Sequence, residues 1–132
     1  MKITRVETIR LDEFSNLLWL RLHTDEGVIG LGETFFGARA AEAYIHETAA
    51  PTLLGRDPLQ IERIHRDLTP YIGFIGTGAE TRGRSAIDLA LWDLWGRVAD
   101  QPVYQLLGGL THDKVRIYNT CAGYRYVRSR PN

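Results

Sequence analysis

Residues 17–23 read Leu-Leu-Trp-Leu-Arg-Leu-His. Successive side chains of a β-strand point to opposite faces. Leu18, Leu20 and Leu22 therefore share one face, and Leu17, Trp19, Arg21 and His23 the other. A sheet built on this strand has one apolar face, which must be buried against another layer. Asp25-Glu26-Gly27 supplies a hairpin turn, because Gly27 can adopt a positive φ. Residues 28–35 (VIGLGETF) then form the return strand, and the Ile-, Thr- and Val-rich residues 2–11 form a strand ahead of it. The opening is expected to be a three-stranded antiparallel meander. With the helices that must cover it, this makes an α+β fold.

A first helix is expected at about 38–50, with Ala41, Tyr44, Ile45 and Thr48 on its inner face and Pro51 marking a break or a restart. Asp57-Pro58 reads as a second helix start, with Asp57 as N-cap and Pro58 in the first turn. Ile61, Ile64 and Leu68 form its buried stripe. Residues 73–83 contain four glycines and read as a loop. A third helix at about 80–99 carries Ile87, Leu91, Leu94 and Val98 as one stripe. Ala86, Ala90, Trp92 and Trp95 widen that stripe, so burial on most sides is expected. Leu106 to Gly109 form a turn, and residues 114–119 (KVRIYN) read as a new strand.

Composition narrows the function. The 132 residues carry 16 basic and 16 acidic side chains, which argues against a dedicated nucleic-acid binder and a polybasic membrane-surface protein. No stretch approaches the roughly 20 apolar residues of a membrane span. A single cysteine, Cys121, excludes an internal disulfide, so a cytoplasmic setting is expected. Charge is uneven. Residues 1–111 hold eleven basic and fifteen acidic groups, whereas 112–132 hold five basic and one acidic.

Motifs for common chemistries are incomplete. Gly30-Leu31-Gly32 suggests a dinucleotide loop, but Phe35 stands where the third glycine belongs, and the strands are antiparallel. His46-Glu47 begins like a zinc-protease helix, but Ala50 replaces the second histidine. His23, His46, His65 and His112 have no metal-ligand spacing. Asp88 and Asp93 do not converge on a helix, and Arg84 and Arg97 at four-residue spacing read as their ion-pair partners. On residues alone, these 132 positions read as an α+β domain without a convincing active site.

Residues 83–97 (GRSAIDLALWDLWGR), followed by Pro102-Val103-Tyr104-Gln105-Leu106-Leu107-Gly108-Gly109, closely resemble the N-terminal-domain signature of the mandelate racemase / muconate lactonizing enzyme branch of the enolase superfamily. The Gly30-Leu31-Gly32-Glu33 step and the run from Leu53 to Pro58 fit the same pattern. Gly83 departs from it, standing where alanine is usual. That change is expected to weaken helix propensity and little else.

The resemblance implies an N-terminal capping domain over a C-terminal modified TIM barrel. The barrel holds Mg²⁺ and the acid/base groups that remove the proton α to a carboxylate. A TIM barrel takes about 250 residues, and only 21 follow Thr111. The expected division is therefore 1–111 as cap and 112–132 as the start of the barrel, in a longer or split enzyme. No metal ligand or catalytic residue carries over, and this chain alone is expected to be inactive. The implied enzyme is an acid-sugar dehydratase acting on a small carboxylate substrate. A racemase or cycloisomerase of the branch is the alternative, and a non-catalytic binding or scaffold module is the rival from another class. The implied partners are the enzyme's own barrel and further copies of itself, in a homo-oligomer.

Cap segments of the family close the barrel mouth. Here they correspond to Asp12–Asn16, Thr34–Arg39 and Tyr71–Gly78. Phe14, Phe35, Phe36 and Phe74 are the candidates for shielding substrate from water, although Phe35 and Phe36 could equally pack the sheet onto the first helix. Asn119, Thr120, Cys121 and Tyr124 lie where the first barrel strand would end, the face on which such barrels place substrate.

Overall fold

A computed structural model describes residues 1–69 and 78–118. Strands β1 (Ile3–Ile9), β2 (Leu17–Thr24) and β3 (Ile29–Phe35) form an antiparallel sheet in the order β1-β2-β3. Leu20 pairs with Thr8 on one side and Gly32 on the other. A short 3₁₀ turn at Asp12–Phe14 joins β1 to β2. The turn at Gly27 has φ +79°. Leu18, Leu20 and Leu22 are fully buried on the inner face, as the alternation requires.

Helices cover that face. Helix α1 (Ala38–Tyr44) continues through a π-helical turn at Ile45–Ala49 into α2 (Ala50–Leu53). Of the break or restart expected at Pro51, the restart is observed, with α2 beginning at Ala50 and Pro51 in its first turn. The Ala50 N–H reaches back to the Ile45 carbonyl, so the wider turn lies just ahead of the proline and the chain stays helical. The extra residue also shifts the buried face, leaving Ala49 buried and Thr48 exposed. Past α2, Gly55 donates to the Ile3 carbonyl at 2.8 Å and Ile3 donates to the Arg56 carbonyl at 2.9 Å, tying this segment to the start of β1.

Helix α3 (Ile61–Leu68) begins three residues later than Asp57-Pro58 suggested, with Gln60 rather than Asp57 as its N-cap. Asp57 instead closes a turn, its carboxylate accepting the Leu59 N–H at 3.0 Å and its carbonyl the Gln60 N–H at 3.3 Å. The stripe Ile61, Ile64, Leu68 is buried as expected.

Helix α4 (Ala79–Ala99) is the main cover of the sheet and lies across β3. The Gly-x-Gly step is explained here. A Cβ on Gly30 would stand 2.1 Å from the Ala90 carbonyl oxygen, and one on Gly32 would stand 2.0 Å from that of Ala86. The two glycines let helix and strand backbones touch. Asp93 completes the join, accepting the exposed Leu31 N–H and the Arg97 Nε, each at 2.8 Å.

Three expectations for α4 are corrected. Val98 is exposed, because the sheet ends before the last turn of the helix. Arg84 turns to the hydroxyls of Thr69 and Thr81 rather than to Asp88. Burial then raises the Asp88 carboxyl above its usual range, with nearby His65 opposing the shift and Glu62 reinforcing it. Gly83 does more than lower helix propensity, since a Cβ there would stand 2.5 Å from the Tyr44 ring. The glycine makes room for that ring against α4.

Asp100, in the left-handed conformation, ends α4, and Gln101 donates to the Gly96 carbonyl. Helix α5 (Val103–Leu106) and a turn at the following glycines come next. Lys114–Tyr118 form no strand. Val115 and Ile117 are 79% and 88% exposed, and no strand among the described residues lies beside them. A strand needs a ladder partner to satisfy its backbone groups, and the described residues offer none.

Candidate functional site

The loop between β1 and β2 meets the junction between β3 and α1. Phe36 donates its N–H to the Asn16 carbonyl at 3.0 Å, which joins the two segments. Between them lies a cleft of about 380 Å³ lined by Arg10, Leu11, Asp12, Ser15, Asn16 and Gly37–Ala40. These are two of the three cap segments singled out in the sequence. The side chains that line the cleft were not singled out. Their polar character follows from composition, but only the fold shows that they face one another.

The cleft has defined electrostatics. Arg10 donates Nε to Glu42 at 2.6 Å, which holds that guanidinium against α1. The Thr8 hydroxyl donates to the other Glu42 oxygen at 2.8 Å. Its single proton is then used, so the His46 Nε2 at 2.7 Å must be the donor to Thr8. Burial pushes the Glu42 carboxyl up, but the bonds from Arg10 and Thr8 outweigh it and hold the group below the usual range. Arg39 is exposed on the opposite wall. The Ser15 hydroxyl is buried and has no hydrogen-bond partner among the described residues. The polar side chains that line the cleft are Arg10, Asp12, Ser15, Asn16 and Arg39. The cleft contains no nucleophile paired with a base.

A folded-state pKa held below the unfolded value stabilises the protein above the unfolded pKa, and that contribution is lost as pH falls. Stability is therefore expected to drop as pH falls from about 4.3, the ordinary glutamate value, through the lower Glu42 value. Urea titrations over that range should show a shallower acid loss in Glu42→Gln.

Phe14, Phe35 and Phe36 flank the cleft in sequence without lining it. Phe14 meets Trp19 edge-on, with ring centroids 6.5 Å apart. Trp19 in turn donates to Glu33 at 2.8 Å. Phe35 pairs with Leu17 in the ladder, on the outer face that carries Trp19. Phe35 and Phe36 meet edge-on at 4.4 Å. Phe36 sits at the turn into α1 with φ +69°. Phe74, Asn119, Thr120, Cys121 and Tyr124 lie outside the described residues. Among the described residues, no group of three or more His, Cys, Asp or Glu side chains could hold a metal ion. The described residues therefore do not fit the role of Mg²⁺ ligands. No described helix is long and apolar enough to cross a membrane.

Known proteins place this geometry. The pattern of the mandelate racemase / muconate lactonizing enzyme N-terminal domain matches residues 7–108. A D-galactonate dehydratase of Verminephrobacter eiseniae is 41% identical over 128 residues, covering 95% of this chain and 32% of that protein. The crystal structure of an enolase of the mandelate racemase subgroup from Agrobacterium tumefaciens superposes with a TM-score of 0.84 at 56% identity, covering 88% of this chain and 32% of that one. An enolase from Pantoea ananatis with bound D-gluconate and Mg superposes at 0.77 and 37% identity, covering 85% and 28%. The chain thus spans about a third of the length of these relatives. The sheet, the Gly-x-Gly contact with α4 and the match over residues 7–108 agree: the chain belongs to the mandelate racemase / muconate lactonizing enzyme N-terminal domain family of the enolase superfamily.

Proposed function

We propose that this chain is the cap of an acid-sugar dehydratase. The carrying observation is its 41% identity to a D-galactonate dehydratase, of which it covers 32%. Removing a proton α to a carboxylate builds charge on an enediolate, which must be stabilised where it forms. In this reading Mg²⁺ and the acid/base groups belong to the enzyme's own barrel, with residues 1–111 as cap and 112–132 entering the barrel. The cap's part is to close the mouth, exclude water and hold the substrate's hydroxyls. Phe35 and Phe36 would shield the site, and the exposed Arg39 would meet polar groups of the substrate. Phe14, Phe74, Asn119, Thr120, Cys121 and Tyr124 remain proposed contacts. The 132-residue chain by itself would not turn over, and the working enzyme would be a cytoplasmic homo-oligomer.

The test starts from the polypeptide purified from its own locus. Its intact mass says whether a barrel is attached. Incubation with Mg²⁺ and a panel including D-gluconate and D-galactonate should then release 2-keto-3-deoxy acid, detected as its hydrazone. Exchange of solvent deuterium at C2 without loss of water would instead assign a racemase. A barrel-bearing protein that neither exchanges nor dehydrates any member of the panel would refute the sugar-acid reading.

A further inference from the structure

Phe36 and Asp100 are the non-glycine residues with positive φ among those described. A left-handed aromatic residue is strained by about 1–2 kcal/mol, so its surroundings must hold it. Gly37 follows at φ +64°, so the chain takes two successive left-handed steps between β3 and α1. One side of this step is held by the Asn16 carbonyl. The other is held from α4. The Arg82 guanidinium donates to the Phe35 carbonyl, and its Cζ stands 5.5 Å from the centroid of the Phe36 ring. Arg82 lies in the first turn of α4, is exposed, and makes no ion pair among the described residues. Its charge is directed to a backbone oxygen and a ring face, a geometry suited to a planar guanidinium.

We infer that Arg82 is a positioning residue. It clamps the Phe35–Phe36 step, and with it the cleft wall that begins at Gly37, in the shape that meets substrate. The clamp itself stands on geometry, whereas its service to substrate rests on the function proposed above. A lysine can reach the carbonyl or the ring but not span both, so Arg82→Lys should rescue in part what Arg82→Met loses.

Hydrogen exchange on the full chain tests the clamp without any assay of turnover. In Arg82→Met the Phe36 amide should exchange about tenfold faster, Arg82→Lys should fall between, and the Leu20 amide should not change. Equal exchange at Phe36 in all three proteins, or a rise that reaches Leu20 equally, overturns the clamp. In the barrel-bearing enzyme, Arg82→Met should raise KM about fivefold to tenfold for sugar acids and leave kcat within about twofold. An unchanged KM beside faster Phe36 exchange overturns the service to substrate. If the unsubstituted enzyme turns over no sugar acid, the proposed function fails, and the exchange result alone decides the clamp.

Discussion

Replacing Gly32 with alanine is expected to destabilise the chain by about 3 kcal/mol, and replacing it with valine to prevent folding. The added Cβ would stand 2.0 Å from the Ala86 carbonyl oxygen and 3.1 Å from the Ala90 nitrogen. Both are backbone atoms of α4, so no rotamer change relieves the clash. Helix and strand must separate, and that contact is the largest between any two elements of the fold. Gly27→Ala is the control. Its φ is +79° but nothing stands within 4 Å of the added carbon, so only local strain applies, about 1–2 kcal/mol. Urea unfolding of the three proteins separates the two causes. A Gly32→Ala cost no larger than that of Gly27→Ala would show that α4 does not sit this close to β3.

The second large effect falls on the central strand. Leu20→Ala is expected to cost about 3–4 kcal/mol, because Leu20 is 0% exposed and is covered by helices. Leu31→Ala, on the outer face at 47% exposure, should cost under about 1 kcal/mol. Both remove the same atoms from neighbouring strands of one sheet, so the difference isolates burial from β-propensity. Similar midpoints for the two variants in chemical denaturation would mean that the outer face is also covered, as association of chains would do.

Much of the fold was legible because two periods are strong here. Leu18, Leu20 and Leu22 could alternate into one apolar face in only one way, and Ile61, Ile64 and Leu68 could share only one helical stripe. Boundaries were less legible. Pro51 has the local chemistry of a break, but a wider turn upstream absorbs it. Asp57-Pro58 has the chemistry of a helix start, but Asp57 satisfies the Leu59 N–H in a turn and the helix waits for Ile61. Lys114–Tyr118 has strand composition, but among the described residues nothing pairs with it.

The site was legible only as segments. Asp12–Asn16 and Thr34–Arg39 were marked by resemblance, and the fold does bring them together. Which side chains face the cleft could not be read, because Arg10, Ser15 and Arg39 belong to no local motif. The sequence by itself determined the meander, its apolar face and the family, since these depend on periodicity and on a long run of matched residues. Tertiary structure alone decided why Gly30 and Gly32 are glycines, why Gly83 faces Tyr44, and why Arg82 reaches Phe35 and Phe36. Each depends on how close two distant segments approach, and local propensity does not encode that distance.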